Sequence, residues 1–293
     1  MKLTFRNREL DLTAPKIMGI LNVTPDSFSD GGTHNKLDDA VRHAERMVRE
    51  GAQIIDVGGE STRPGAGEVS VAEELNRVIP VVEKISRELD VMISLDTSKP
   101  EVMSEGLNAG AHLINDIRAL QVPGAMEIVA KAGCPVCLMH MQGDPLHMQE
   151  NPTYNDLLGD INQFFYERID MCLNAGIRRN NIIVDPGFGF GKTLEQNYEL
   201  MGRLDTFASF GLPLLVGVSR KSMIGNLLRV PVEERVYGSV GLALYAVNKG
   251  AHIIRVHDVR ATFDALKCWE YANVFSHKAP RLKQIFKLHK GSR

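Results

Sequence analysis

Short apolar runs alternate with amphipathic stretches along most of the chain. The runs are rich in Ile, Val and Leu, and such near-continuous apolar character is typical of parallel strands covered on both faces. There are eight: "KIMGILN" (16–22), "QIIDVGGES" (53–61), "VMISLDT" (91–97), "HLINDI" (112–117), "PVCLMHM" (135–141), "NIIVDPG" (181–187), "PLLVGVSRKS" (213–222) and "HIIRVHD" (252–258). Segments between them, such as 36–52 and 158–176, have helical periodicity and end near glycines, which are frequent helix stops.

Eight strand–helix units in alternation predict an α/β protein, specifically a (β/α)8 TIM barrel. A doubly wound sheet is the alternative, but eight well-spaced units favour a closed barrel. The opening "LTFRNRELDL" (3–12) predicts a short N-terminal β-hairpin that plugs the bottom of the barrel. No linker divides the chain, so we expect one domain over residues 1–293, with the barrel at about 14–277 and a basic C-terminal tail at about 278–293.

The composition is that of a soluble globular protein, with 44% hydrophobic and 24% charged residues. A net charge of −2 gives no reason to expect a nucleic-acid partner. The N-terminus has no apolar signal region and no window reaches membrane-spanning length, so no membrane association is predicted. Cys134 and Cys137 have C-x-x-C spacing but lead into an apolar run. We expect buried free thiols, which suit the cytoplasm.

The stretch "PGFGFGKT" (186–193) resembles a phosphate-binding loop. That pattern requires a glycine five residues before the Gly-Lys pair, and Pro186 stands there instead. Proline has a fixed φ and no N–H, so it cannot replace that glycine. The sequence therefore argues against a nucleotide site, and Lys192 is expected either to contact anions from solvent or to have a surface role.

Polar side chains follow every one of the eight predicted strands. They are Asn22, Glu60, Ser61, Thr62, Arg63, Asp96, Asn115, Asp116, His140, Asp185, Ser219, Arg220, Lys221, Arg255 and His257. A polar residue at a strand end often caps the next helix, and Asp96, Thr97, Ser98, Asn115 and Asp116 suit that role individually. Active sites of such barrels lie at the carboxyl ends of the strands, and polar residues at all eight ends predict a pocket for a polar ligand there.

These strand ends carry long motifs that resemble those of the dihydropteroate synthase family. The motifs are "MGILNVTPDSFSDGG" (18–32), "DVGGESTRPGA" (56–66), "SLDTSKPEV" (94–102), "INDIRAL" (114–120), "CLMHMQGDP" (137–145), "DPGFGFGKT" (185–193), "GVSRKSMIG" (217–225) and "IIRVHDV" (253–259). The likeness runs from about residue 16 to 265. It implies a (β/α)8 barrel that condenses 6-hydroxymethyl-7,8-dihydropterin pyrophosphate with 4-aminobenzoate and releases pyrophosphate in folate biosynthesis.

The chemistry of a pterin suits several of these residues. Its 2-amino-4-oxo edge carries two adjacent N–H donors, which a carboxylate such as Asp185 accepts in a bidentate pair. The resemblance implies that Asp96, Asn115, Asp185 and Lys221 bind the pterin. Met139 and Phe190 are expected to wall the ring, and Arg255 to stack on its face by a cation–π contact.

The pyrophosphate needs positive charge and hydrogen-bond donors. The resemblance places Asn22, Arg63, Arg255 and His257 around it, with Asn22 as the protein's ligand to a Mg²⁺ ion that assists departure. The implied mechanism cleaves a carbon–oxygen bond with carbocation character and needs no covalent enzyme intermediate. No nucleophile–base pair is expected. The catalytic residues are then Asp96, Lys221, Arg255 and His257.

The resemblance also assigns residues to 4-aminobenzoate. Thr62, Arg63 and Pro64 hold it from one side, and Phe190, Ser219, Arg220 and Lys221 from the other. Phe28 lies in the Gly-rich first loop, which is expected to act as a mobile lid. His140 is expected to be an ordinary strand-end residue.

Two other functions remain open from the sequence. One is a non-catalytic pterin-binding barrel, and the other is the methyltetrahydrofolate-binding domain of a corrinoid methyltransferase, which has no use for "STRPG" or "SRKS". The family likeness further implies a homodimer, for which the small-residue-rich segment 238–251 is a candidate surface, and a sulfonamide target.

Overall fold

The computed structural model describes residues 1–6, 8–24, 33–60, 67, 69–144 and 147–276, with the backbone alone at 33–35 and 276. A two-stranded antiparallel hairpin comes first, formed by β1 (Lys2–Phe5) and β2 (Arg8–Asp11).

Eight parallel strands form the main sheet of the described chain. They are β3 (Lys16–Asn22), β4 (Ile54–Gly58), β5 (Met92–Asp96), β6 (Leu113–Asp116), β7 (Val136–Met139), β8 (Ile182–Asp185), β9 (Leu215–Val216) and β10 (Ile253–Val256). Their spatial order is β8-β7-β6-β5-β4-β3-β10-β9, and a parallel bridge between Val184 and Leu214 joins the two ends of that order. The sheet thus closes on itself. The predicted TIM barrel is confirmed, and the doubly wound alternative is wrong.

Helices follow the strands and cover the outside of the barrel. They are α1 (Thr33–Arg49), α2 (Val71–Glu88), α3 (Pro100–Ala109), α4 (Ala125–Ala132), α5 (Leu157–Asn174), α6 (Leu194–Gly202), α7 (Ser222–Leu228), α8 (Val236–Asn248) and α9 (Val259–Ser276). Local signals set some of their starts. The Ser70 hydroxyl accepts from the backbone N–H of Glu73 at α2, and Thr193 and Gln196 form a capping box at α6.

The hairpin closes the bottom of the barrel, as predicted. Leu3, Leu10 and Leu12 are buried and share one apolar cluster with an inward residue from each of the eight parallel strands. Those inward residues are Met18, Ile54, Met92, Leu113, Cys137, Ile183, Leu215 and Ile253. The barrel interior is therefore packed at this end, and only the opposite end is available for a ligand.

The strand in the run 213–222 is much shorter than its apolar pattern predicts. Only Leu215 and Val216 are paired with β10, and the chain then leaves the sheet toward Arg220, whose φ is +59°. The C-x-x-C thiols are buried and free as expected, and burial raises the pKa of Cys134 to about 12. Within the described residues, no helix has both the length and the apolar character needed to cross a membrane.

Candidate active site

The carboxyl ends of the strands bring many of the predicted residues to one rim of the barrel. In the parallel register Asn22 lies beside Gly58, Gly58 beside Asp96, and Asp96 beside Asn115. On the next strands along the rim, Met139 is paired with Asp185. The rim therefore holds the predicted pterin and metal residues on consecutive strands.

A buried cluster of charges lies at the centre of this rim. Arg255 donates from Nε to Asp56 Oδ2 at 2.6 Å and from Nη2 to Asp96 Oδ2 at 2.7 Å. Asn115 Nδ2 also donates to Asp56 Oδ2, at 3.1 Å. The guanidinium of Arg255 is thus held by two carboxylates, which restrict its orientation.

Asp56 is the one member of this cluster that the sequence analysis missed. It is fully buried, and its second oxygen, Oδ1, has no hydrogen-bond partner in the part of the chain that the structure describes. The available signal was an acidic residue inside the apolar run "QIIDVGG", since a buried charge in a strand needs a partner. A buried carboxylate oxygen left without a donor is also where a ligand N–H would be accepted.

Burial and neighbouring charges set the protonation of the cluster. Burial raises the pKa of Asp96 to about 7, Arg255 opposes that rise, and the negative charge of Asp56 adds to it. Burial disfavours the charge on Arg255, but Asp56 and Asp96 together outweigh it and raise the arginine pKa above its ordinary value. Asp96 therefore changes charge near neutral pH, whereas Arg255 stays positive.

Asp185 and Lys221 form the second polar part of the pocket. Gly187 N–H donates to Asp185 Oδ1 at 2.8 Å, and burial raises the pKa of this carboxyl group against the opposing charge of Lys221. Lys221 donates from Nζ to the carbonyl of Phe188, and its ammonium lies 4.5 Å from the centre of the Phe190 ring. Burial lowers the pKa of Lys221 to about 8.

The glycines of "PGFGFGKT" serve close chain packing. Gly187, Gly189 and Gly191 all have positive φ. A Cβ on Gly187 would lie 1.9 Å from the carbonyl oxygen of His140, and one on Gly191 would lie 2.5 Å from that of Gln142. The turn is therefore stacked directly on the chain leaving β7, and only glycine fits there.

The surface role expected for Lys192 is wrong. Its side chain is only 2% exposed and lies beneath the turn, donating to His140 Nδ1 at 3.1 Å, to the Gly187 carbonyl at 2.9 Å and to the Phe190 carbonyl at 3.0 Å. Burial lowers its pKa to about 7. The alternating glycines allow the turn to fold back over its own lysine.

An apolar wall stands beside these polar groups. Met139 and Phe190 belong to one buried cluster with Met148, against which Ile117 and Met141 pack. The two residues predicted to wall a flat ring are thus brought together, and the Phe190 ring also contacts the ammonium of Lys221.

Ser219 and His257 form a contact that the sequence analysis did not expect. Ser219 Oγ lies 3.0 Å from His257 Nδ1 and accepts from the backbone N–H of His257 at 3.1 Å. Either the serine hydroxyl donates to Nδ1 or Nδ1–H donates to the hydroxyl oxygen, according to the tautomer of His257. The contact orients the His257 ring at the rim, and the expectation that no nucleophile–base pair takes part in the reaction stays a prediction.

Arg220 forms an ion pair with Asp258. Its Nε and Nη2 donate to the two oxygens of Asp258 at 2.9 and 2.5 Å, and its backbone N–H donates to Ser239 Oγ at 2.9 Å. This bidentate pair fixes the turn that presents Lys221. Arg220 thus stabilises this turn, and its expected contact with aminobenzoate stays a prediction.

Two polar residues expected to cap the next helix stabilise a turn instead, because the N-caps of α3 and α4 are Lys99 and Gly124 and neither helix has a side-chain cap. Asp116 accepts from the backbone N–H groups of Arg118 and Leu120 at 2.8 and 2.7 Å, and Thr97 Oγ1 accepts from that of Lys99 at 3.2 Å. They stabilise the turns after β6 and β5 and do not belong to the pocket chemistry.

Several predicted residues lie outside the described part of the chain. They are Phe28, Thr62, Arg63 and Pro64, together with the first-loop segment 25–32 and the C-terminal tail. The described residues contain no group of three or more His, Cys, Asp or Glu side chains arranged to hold a metal ion.

Comparison with known proteins agrees with this site. The model of the pterin-binding enzyme family matches residues 18–257. Dihydropteroate synthase of Escherichia coli (strain K12) is 60% identical over 270 residues, which cover 92% of this chain and 96% of that protein. The chain belongs to the dihydropteroate synthase family.

Solved structures of dihydropteroate synthases share the fold. The Yersinia pestis enzyme in a sulfonamide drug complex is 59% identical, with a TM-score of 0.89, and the match covers 94% of this chain and 100% of that one. The Xanthomonas albilineans enzyme with 4-aminobenzoic acid is 48% identical, with a TM-score of 0.88 and coverage of 93% and 98%. The same enzyme with 7,8-dihydropteroate has a TM-score of 0.86 at 45% identity, with coverage of 93% and 99%.

Proposed function

We propose that the protein condenses 6-hydroxymethyl-7,8-dihydropterin pyrophosphate with 4-aminobenzoate to 7,8-dihydropteroate and pyrophosphate, in folate biosynthesis. The observation that carries this proposal is the convergence of Asp96, Asn115, Asp185 and Lys221 on one buried rim, in a chain that belongs to the dihydropteroate synthase family.

The pterin edge is matched by carboxylates that the protein already holds in place. Asp185, oriented by Gly187 N–H, accepts the two adjacent donors of the pterin. Asp96 and Asn115 complete the edge, and Asp56 Oδ1 is a further acceptor that has no partner among the described residues. An analogue that lacks one of these donors would leave a buried oxygen unpaired, which is strongly rejected.

The pyrophosphate end suits Asn22, Arg255 and His257, with Arg63 assigned by the family likeness. Arg255 uses Nε and Nη2 on its carboxylates, which leaves Nη1 to donate to an anion, and His257 can donate from Nε2 in the tautomer that carries the proton there. The lone amide of Asn22 fits a Mg²⁺ ion that keeps its waters and is held by phosphate oxygens. Such an ion, when bound, would neutralise charge that develops on the leaving group.

The reaction breaks the bond between the exocyclic methylene carbon and the pyrophosphate oxygen. Asp96 places negative charge near the carbocation that develops, and Arg255 and Lys221 hold the departing anion and the ring in line. The neutral arylamine of 4-aminobenzoate then forms the carbon–nitrogen bond and loses one proton to solvent. Catalysis rests on positioning and electrostatic stabilisation by these residues, without a covalent enzyme intermediate.

The second substrate is expected against Phe190 and Lys221, with Ser219 and Arg220 on the same side and Phe28, Thr62, Arg63 and Pro64 on the other. The ring of Phe190 offers a flat apolar face for the benzoate ring. A sulfonamide resembles 4-aminobenzoate in its arylamine half, and we expect it to compete at this position.

We further expect a homodimer in the cytoplasm. Tyr237 and Tyr245 of α8 are 86% and 44% exposed, and α9 exposes Tyr271, Val274 and Phe275. An exposed apolar surface of this kind on neighbouring helices is typical of a protein interface. Sedimentation of the purified protein tests the assembly state.

The first experiment measures pyrophosphate release from the purified protein with dihydropterin pyrophosphate, Mg²⁺ and 4-aminobenzoate. Each component is omitted in turn, and release is expected only when all are present. Asp185→Asn and Lys221→Ala are expected to abolish most of the activity, whereas Asp264→Asn, in an exposed ion pair of α9, is expected to retain it.

The same assay separates the alternatives. A protein that binds the pterin but never releases pyrophosphate is a non-catalytic pterin-binding barrel. Binding of methyltetrahydrofolate in preference to dihydropterin pyrophosphate indicates the methyltransferase-type domain, and either result overturns the proposed function.

A further inference from the structure

Lys192 is a buried ammonium whose described partners are all uncharged. Its three N–H donors match three acceptors, namely Nδ1 of His140 and the carbonyls of Gly187 and Phe190. An ammonium has only three donors, so its hydrogen-bonding capacity is filled. Keeping such a charge away from water is costly, and an apolar side chain would fill the same space at lower cost.

The carbonyls that Lys192 binds belong to the two ends of one tight turn. Phe190 N–H donates to the Gly187 carbonyl at 3.1 Å and closes the turn. Gly187 also directs its N–H to Asp185, and Phe190 carries the ring that packs against Lys221. A shift of either carbonyl would therefore move the carboxylate that reads the pterin edge, the aromatic wall, or both.

His140 connects this ammonium to β7. Its ring packs edge-on against Phe164 at 5.0 Å between centroids, and burial, with the nearby charge of Lys192, lowers its pKa to about 2. The imidazole is therefore neutral, with Nδ1 as an acceptor and the proton on Nε2. In this state it is a fixed acceptor for Lys192.

The outer groups of the turn are held by other residues. Gln149 donates to the Gly189 carbonyl at 2.6 Å, Tyr154 donates to the Gly191 carbonyl at 2.7 Å, and Asn197 accepts from Gly189 N–H at 2.7 Å. Lys192 binds the carbonyls at the two ends of the turn, and its positive charge also favours the ionised form of Asp185.

We propose that Lys192 is a positioning residue for the pterin end of the site, acting through the Gly187–Phe190 turn and through the charge it presents to Asp185. It does not contact the substrate itself. This inference rests on the proposed pterin-binding function and adds a residue to it.

The test replaces the ammonium while keeping the length of the stem. In Lys192→Met we expect at least a tenfold rise in the Kd for 6-hydroxymethylpterin, measured by fluorescence titration. We expect a similar rise in the KM for dihydropterin pyrophosphate and a kcat within about threefold of the original, because the lost interaction supports ground-state binding. Lys249→Met is the control for loss of a lysine charge elsewhere. Lys249 lies at the C-terminus of α8, and its ammonium pairs with Asp205.

A second control separates positioning from stability. Leu3→Ala removes a fully buried side chain at the bottom of the barrel and should lower the melting temperature without changing the pterin Kd. The proposal is overturned if Lys192→Met binds 6-hydroxymethylpterin with an unchanged Kd, whether its melting temperature falls as in Leu3→Ala or not. Should Lys192→Met fail to fold, Lys192→Gln retains two donors, and an unchanged pterin Kd in that variant overturns the proposal equally.

The two hypotheses fail in different ways. The pterin titration needs no turnover, so absence of pyrophosphate release from the unmodified protein would count against the synthase function alone. An unmodified protein that turns over normally, with variants of unchanged pterin affinity, would count against the role of Lys192 alone.

Discussion

Asp56→Asn removes one charge from the buried cluster around Arg255 and keeps the shape of the side chain. We expect it to lower the pKa of Asp96 for two reasons. The negative charge of Asp56 raises that pKa in the unmodified protein, and without it Arg255 has Asp96 as its one remaining carboxylate partner in the cluster. Both effects favour the ionised form of Asp96.

The size of the shift follows from the shared partner. The carboxylates of Asp56 and Asp96 bind two nitrogens of one guanidinium, so we take them to lie within the range of about 4–6 Å over which a like charge shifts a pKa. Two unit charges about 6 Å apart, the far end of that range, repel by about 3 kcal/mol at an effective dielectric constant of about 20, or about two pKa units. Relaxation of Arg255 reduces this, so we expect a fall of about one to two units from a starting value of about 7.

The assay is the pH dependence of kcat/KM for dihydropterin pyrophosphate, which reports groups of the free enzyme. If the ionised Asp96 is the active form, kcat/KM rises with pH through the pKa of Asp96, and in Asp56→Asn this rise moves to lower pH. Asp96→Asn should remove the rise, and the surface variant Asp264→Asn should leave it in place. If kcat/KM rises at the same pH in Asp56→Asn and in Asp264→Asn, the proposed effect of Asp56 on the pKa of Asp96 is refuted.

Three further results are expected. Phe190→Leu should raise the KM for 4-aminobenzoate several-fold in steady-state assays at saturating pterin substrate, because it removes the flat ring and a cation–π contact with Lys221 of about 1 kcal/mol. Arg220→Ala should lower kcat/KM, and Arg220→Lys should restore it only in part, since a lysine cannot form the bidentate pair with Asp258. Leu3→Ala should lower the free energy of unfolding in urea by about 2–5 kcal/mol, with both KM values unchanged.

The sequence predicted the barrel well because its strands are buried on both faces. Each strand then reads as an apolar run, and the polar residue that follows marks the rim. The role of Asp56 was not predicted because the residue lies inside such a run and its partner Arg255 is 199 residues away. A contact over that separation depends on closure of the barrel, which no local pattern contains.

The contacts of Lys192 and Arg220 were not predicted from the sequence, for a different reason. A lysine after a glycine-rich turn ordinarily lies at the surface, and its burial here depends on three positive-φ glycines that stack the turn on β7. Arg220 stands in a motif that suggests anion binding, yet Asp258 on the next strand–helix connection accepts both of its donors. In both cases the charge is used by the protein to hold a neighbour, and sequence spacing does not reveal that.

The charged groups of the pocket hold one another in place. Three carboxyl groups, Asp56, Asp96 and Asp185, lie near three basic groups, Arg255, Lys221 and Lys192, and burial moves the pKa values of Asp96 and Lys192 to about 7. Each of the six makes at least one hydrogen bond within the described chain. Ordering these groups costs stability during folding, but the dipoles then need little rearrangement during the reaction. Some apolar substitutions of these charged groups should therefore stabilise the fold while they weaken catalysis. Substitutions at the bottom of the barrel, such as Leu3→Ala, should instead lower stability and leave catalysis unchanged.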